Sequence, residues 1–376
     1  MTIKILNIVP SYFPATIYGG VIFSSHFTNA LLTKNYKNLI VTVSTSTANG
    51  EKRLYTKNRI VSKKNNYIIK YYYDEIINRI SISFIKNIFN DIKNNSIIHF
   101  QDLFSTFAIV GIIFACILNK KIIISPRGVL SNWSFKSKYT FMKKIIFYIF
   151  FKKKNYYWHV TSEIERKDLT ELGIKKRVFI IPNIIDDKIL KTSGKLIKKN
   201  SSYVVGCLSR YDKKKGIDSL VKSFDFLNKK FILIIAGPDF GYKNHIENLI
   251  QYKRLEKRVF LYNNLNDRNK EKFFNTIDLL ALPSHNENFG NVFLESLKRG
   301  KPILTSNFTP FYNVSKFKCG INCDINSKKI SEAIIKIHKK NKNTLKRNAI
   351  KYSKNFDSNK IIKKYYLMYE TIYKKN

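Results

Sequence analysis

The feature that most constrains this chain is a repeated unit: a short apolar run, a polar loop, then a stretch with helical spacing. Apolar runs at 3–9, 97–100, 121–125, 203–209, 231–236, 259–262, 278–283 and 303–306 are too short for helices. They also lack polar alternation, as strands covered on both faces do. Strands alternating with helices in both halves predict an α/β protein of two Rossmann-like, parallel-sheet domains facing a cleft. A length of 376 residues leaves each domain enough chain for its own core. The lysine-rich stretch 188–202 is the expected linker between a first domain over 1–187 and a second over 203–358.

Residues 278–302 are the richest in chemistry. The strand should end at Pro283, and Ser284 to Gly290 form a polar loop. A helix should start near Asn291 and stop at Lys298, Arg299, Gly300 and Pro302. Amides around Phe289, Gly290, Asn291 and Val292 would then face the mouth of the loop and favour an anion. Glu287 sits beside them. Glu295 lies about one turn into the helix, and helical side chains lean toward the N-terminus, so its carboxylate points to the same mouth. A nucleotide sugar matches such a site, with a diphosphate for the amides and hydroxyl donors for the carboxylates.

Three other loops follow strands. The loop over 10–20 ends in Gly19-Gly20, where a missing side chain allows close approach to a ligand. Ser125 leads into Pro126-Arg127-Gly128. The run 203–209 leads into Arg210-Tyr211-Asp212-Lys213-Lys214-Lys215-Gly216. Ser162 and Glu165 read as a capping box.

These motifs carry a resemblance. Glu287, seven residues, then Glu295, with Asn288-Phe289-Gly290 after the first glutamate, resembles the E-x7-E signature of the retaining glycosyltransferases of family 4. That family has the two-domain GT-B architecture. Arg210 with Lys215-Gly216, the Gly237-Pro238 turn, the Ser-Pro-Arg-Gly loop and the Thr161-Ser162 helix start are similar to its other motifs. Many relatives carry histidine where Arg127 stands, so Arg127 either binds an acceptor phosphate or pairs with a carboxylate.

The resemblance implies a metal-independent, cofactor-free transfer of a sugar from a UDP- or GDP-linked donor to a glycan or lipid-linked acceptor. Glu287 would contact the donor sugar, Glu295 the ribose, and Arg210 and Lys215 the leaving diphosphate. Gly20, Asn288 and the amides of Phe289, Gly290, Asn291 and Val292 would complete the donor site, with Arg127 and Gly128 on the acceptor side. The helix expected over 359–376 would cross back to the first domain. Surface polysaccharide assembly (O-antigen, capsule or lipopolysaccharide) on the cytoplasmic face of a bacterial inner membrane is the implied setting. Nucleotide-sugar epimerases share the architecture and remain an alternative. A non-catalytic basic protein that binds nucleic acid or membrane is another.

A formal charge of +42 raises nucleic acid as a partner. Lysine, asparagine, isoleucine and tyrosine are abundant together, however, and the basic residues run along the whole chain rather than in one tract, so nucleic acid is not expected. Cys116, Cys207, Cys319 and Cys323 show neither zinc nor disulfide spacing and read as free thiols of a reducing cytoplasm. The N-terminus lacks the apolar core of a signal peptide. No apolar stretch reaches membrane-spanning length, and the closest, at 104–118, is expected to be a buried helix. The stretch 135–154 mixes aromatic and aliphatic residues with lysines at both ends. It fits a core-facing helix and an interfacial helix on an anionic membrane equally well.

Overall fold

The computed structural model describes residues 3–15, 19–36, 39–44, 54–62, 67–73, 80–135, 140–152, 155–186, 193–197 and 201–374. Much of the expected linker over 188–202 therefore lies outside the described residues. The chain divides into two compact units. The first comprises Met1–Asp186 together with Ser358–Asn376, and the second Asp187–Asp357.

The strands of the first unit are β1 (Ile5–Val9), β2 (Ile40–Ser44), β3 (Arg59–Ser62), β4 (Ile68–Tyr72), β5 (Ile97–Phe100), β6 (Lys121–Ile124), β7 (Tyr157–Val160) and β8 (Val178–Ile180). They form one sheet in the order β3-β4-β2-β1-β5-β6-β7-β8. All pairings are parallel except that of β3 with β4. β3 is an edge strand that the sequence did not reveal. Half of its residues are polar, and Ile60 stays exposed. β1, β5 and β6 are mostly apolar, each with one polar residue (Asn7, His99 and Lys121), and their residues are almost entirely buried, as a sheet covered on both faces demands.

The second unit holds β9 (Tyr203–Leu208), β10 (Phe231–Ala236), β11 (Val259–Tyr262), β12 (Leu279–Leu282), β13 (Ile303–Ser306) and β14 (Gly320–Cys323). Their order is β11-β10-β9-β12-β13-β14, all parallel. After β9 the chain winds outward through β10 and β11, then returns to place β12 on the other side of β9. The winding therefore reverses between β9 and β12, and the loops after these two strands diverge to leave a crevice at their C-terminal ends. The same reversal occurs in the first unit between β1 and β5.

The helix Thr106–Ile117 occupies the expected apolar stretch, but it is not wholly buried: Ile113 and Ile117 stand exposed. The C-terminal helix Ser358–Lys374 packs into the first unit through a buried polar chain. Tyr369 Oη lies 2.8 Å from His99 Nδ1, whose Nε2 is 2.8 Å from Ser125 Oγ. Ser125 Oγ in turn is 2.7 Å from His159 Nδ1, and His159 Nε2 meets the Ile181 carbonyl and the Tyr365 hydroxyl. Burial first, then the charges of His159 and Arg127, push His99 far below the usual histidine range, and burial and Arg127 push His159 down to about 3. Both rings are neutral at physiological pH and serve as paired hydrogen-bond groups.

Tyr369→Phe keeps the ring and strands His99 Nδ1 in a dry core. It should lower unfolding free energy by about 1–3 kcal/mol, read from urea denaturation.

Candidate active site

The loop after β9 is held from below. Tyr211 is fully buried, and its hydroxyl donates to the carbonyls of Ile235 and Tyr262 while its amide donates to Pro238 O. The anchor fixes the residues on either side. Arg210 stacks over the Phe240 ring at 4.4 Å and lies 3.8 Å from Asp212. Asp212 Oδ1 accepts from the Lys214 amide and starts a short 3-10 turn over Lys213–Lys215. Gly216 then takes φ 65°, and the next helix, Ile217–Lys222, begins.

That glycine is where the two loops of the crevice touch. A Cβ on Gly216 would lie 2.3 Å from the carbonyl oxygen of Pro283, the residue directly after β12. His285 N donates to Lys214 O at 2.9 Å, which locks the same contact. With the backbones this close, Lys215 Nζ meets Glu287 Oε1 at 2.6 Å. Both side chains are nearly buried. Ser284 Oγ donates to the same carboxylate oxygen at 2.9 Å.

Burial pushes the Glu287 carboxyl up. The charge and hydrogen bond of Lys215, the Lys214 charge and the Ser284 hydroxyl outweigh burial and bring it below the usual carboxylate range. Burial also pushes the neighbouring Lys214 down. Asn286 is buried, and its Oδ1 has no hydrogen-bond partner among the described residues.

The helix expected near Asn291 is Asn291–Lys298. Gly290 precedes it at φ 82°, and no side chain caps it. The Phe289 ring turns inward against Phe311 and Phe356, so only the backbone of this residue remains for a ligand. Asn288, Asn291 and Val292 are half-buried around the helix start. Glu295 is paired: Lys270, on the helix Asp267–Thr276, holds its Oε2 at 2.7 Å. Lys270, Lys214, Ser284 and Asn286 all escaped sequence reasoning. Lysines 214 and 270 were indistinguishable in so basic a chain.

The remaining predicted residues belong to the first unit. Gly20 is the first residue of the helix Gly20–Leu32, and Gly19 before it takes φ 83°. Arg127 follows β6 with φ 55°, and Gly128 with φ 79°. The Arg127 guanidinium donates to Gln101 Oε1 from Nε and Nη2, and from Nη1 to Asn183 Oδ1 at 2.8 Å. These partners follow β5 and β8, so Arg127 ties together three C-terminal strand ends. A polar chain runs on from Gln101 through Asn7, Asn29, Tyr12 and Tyr67 to His26.

The Ser162 cap forms, with Ser162 Oγ accepting from Glu165 N. The Glu165 carboxylate bonds the backbone of two neighbouring loops. One carboxylate oxygen accepts from Gly128 N at 2.7 Å, and the other from Thr161 N at 2.8 Å. The residue that looked like a helix-start signal thus supports the Arg127-Gly128 loop.

With this geometry in view, similarity to known proteins becomes informative. Residues 188–356 match the family of glycosyl transferases group 1. The match covers the unit that holds Arg210, Lys215, Glu287 and Glu295. The chain is 26% identical over 302 residues to the O-antigen biosynthesis glycosyltransferase WclY of Escherichia coli, spanning 80% of this chain and 75% of that protein. It is 27% identical over 150 residues to the capsular polysaccharide biosynthesis glycosyltransferase CapM of Staphylococcus aureus, 36% of this chain and 35% of that one. Among solved structures, HepE of Anabaena in complex with UDP and glucose superposes with a TM-score of 0.76 over 99% of this chain and 100% of that one, at 17% identity. WaaG, a glycosyltransferase involved in lipopolysaccharide biosynthesis, gives 0.68 over 96% and 98%, at 13% identity. The fold is GT-B.

Gly216→Ala tests the contact between the loops after β9 and β12. Left-handed backbone costs a non-glycine residue about 1–2 kcal/mol, and the clash with Pro283 adds to it. A stability loss above about 1 kcal/mol in urea is expected.

Proposed function

We propose that the protein is a retaining, metal-independent glycosyltransferase that moves a sugar from a nucleotide-diphosphate sugar to an acceptor hydroxyl in surface polysaccharide assembly. The observation that carries this reading is the Lys215–Glu287 pair at the crevice between β9 and β12. The match to glycosyl transferases group 1, and relatives named for O-antigen and capsule synthesis, support it. HepE, of the same fold, was crystallised with UDP-glucose, which favours a UDP-linked donor.

The pair works by exchange of partners. A diphosphate entering the crevice takes the Lys215 ammonium and the Arg210 guanidinium as counter-charges. Glu287, held ionised, then accepts hydrogen bonds from sugar hydroxyls and orients the anomeric carbon. Asn286 Oδ1 offers a further buried acceptor that a donor hydroxyl can satisfy. The bond between the anomeric carbon and the diphosphate oxygen breaks, and the acceptor oxygen attacks from the same face. Its proton leaves with the diphosphate. Glu287 needs no proton of its own, in keeping with its depressed pKa. Glu295, backed by Lys270, is assigned to the ribose, and Arg127 with Gly128 to the acceptor side.

Lys215→Ala and Glu287→Gln should each lower turnover by about 100- to 1000-fold, measured as nucleotide diphosphate released in the presence of acceptor. Either variant turning over at near wild-type rates would overturn the assignment. Donor supplied without acceptor should be recovered unchanged; conversion to an epimer would show an epimerase instead.

The pH dependence follows from the sign of the Glu287 shift. A folded pKa below the unfolded value of about 4.3 gives stability that is present above that pH and lost as pH falls through the folded pKa. Activity should therefore show no ionisation from Glu287 between about pH 5 and 8, read from a pH–rate profile.

A further inference from the structure

We infer that the segment Thr140–Phe147, with its continuation Tyr148–Lys152, is a docking surface for an anionic lipid bilayer. It involves none of the residues of the candidate active site. Its inner side is part of the first unit's core: Phe147 and Phe151 are buried there, with Ile146 and Phe150 packed against the same cluster. The outer side is apolar as well. Phe141 is 76% exposed and Ile149 63%, and Met142, Ile145 and Tyr148 are also exposed.

Single exposed apolar residues are ordinary, but five within one short segment are not. A helix apolar on both sides is normally covered on both. Here nothing in the chain's described residues covers the outer one.

The patch is fixed in place. Lys143 Nζ sits 6.0 Å from the Phe104 ring centroid, before the start of the helix Thr106–Ile117. At the other end, Phe151 meets the Tyr156 ring at 6.4 Å, and the Tyr156 hydroxyl lies 3.2 Å from Cys116 Sγ near the end of that helix. The same helix exposes Ile113 and Ile117.

Charge selects the occupant. Residues 135–154 contain seven lysines and no acidic residue. A second copy of the chain would bring the same lysines to the contact, so like charges would oppose. A bilayer rich in phosphate headgroups takes both components: aromatic and aliphatic side chains enter the acyl boundary, and lysines on long stems reach the phosphates. Among the described residues no helix is long and apolar enough to cross a membrane, so the segment would lie on the surface.

The test is co-sedimentation of the full chain with vesicles of phosphatidylcholine alone, or of phosphatidylcholine with phosphatidylglycerol. Binding is expected to the anionic vesicles only, and to weaken as salt rises. The paired variant Phe141→Ser with Ile149→Ser keeps every charge and alters only exposed positions. It should keep the wild-type melting temperature while partitioning at least about tenfold less, since part-burial of one such side chain is worth about that factor. Equal partitioning of variant and wild type would reduce the attraction to general charge and overturn the inference. So would equal binding to uncharged vesicles, or a wild-type dimer that the paired variant converts to monomer without change in vesicle binding.

Discussion

The second unit is organised around an ion pair between residues 72 positions apart, Lys215 and Glu287. They meet because β9 and β12 are neighbours in the sheet while the chain between them runs out through β10 and β11 and back. The loops that follow such neighbours belong to different crossovers and leave a gap at their C-terminal ends. An almost buried ion pair is a weak source of net stability, because desolvation of both partners offsets much of their attraction. Under the function proposed above the pair is a prepared site, in which a ligand carrying phosphate and hydroxyl groups replaces each partner. Gly216 and the bond from His285 N to Lys214 O hold the loops at that spacing.

The first unit applies the same topological rule with a different chemistry. Its crevice end carries a hydrogen-bonded network that runs from Arg127 through Gln101 to His26. Arg127 is its cation, held by Gln101 and Asn183. Glu165 is buried beneath the adjoining loop; burial raises its carboxyl, while amide bonds from Thr161 and Gly128 and the Arg127 charge counter that. Bonds from three of its nitrogens orient the Arg127 guanidinium. The His99–Ser125–His159 chain extends the polar core sideways to the C-terminal helix and ties the last residues of the sequence to this unit.

Much of the architecture was legible in the sequence. Apolar runs without alternation become fully covered parallel strands because no polar face is needed, and each such run named above is a strand. The helix Asn291–Lys298 was legible as well, since the polar loop before it and the terminal Lys298-Arg299-Gly300 are local signals of its start and its end. Legibility fell where residues are half-exposed. β3 and β14 are short, part-polar edge strands whose pairing depends on a neighbour rather than on their own pattern. The basic composition also masked individual lysines: the same residue type supplies the Glu287 partner, the Glu295 partner and ordinary solvated surface.

By itself the sequence determined the fold class, the position of the two glutamates around a helix start and the cations in the loop after β9. These follow from local periodicity and spacing. Tertiary structure alone decided which of those charges meet. Lys215 pairs with Glu287 because a glycine lets two loop backbones touch, and Glu295 pairs with Lys270 because the helix Asp267–Thr276 lies beside it. Glu165 passes from helix signal to loop support, and the segment 140–152 shows apolar side chains on the outside. Each of these depends on what stands opposite a side chain, and residues far apart in the chain supply it.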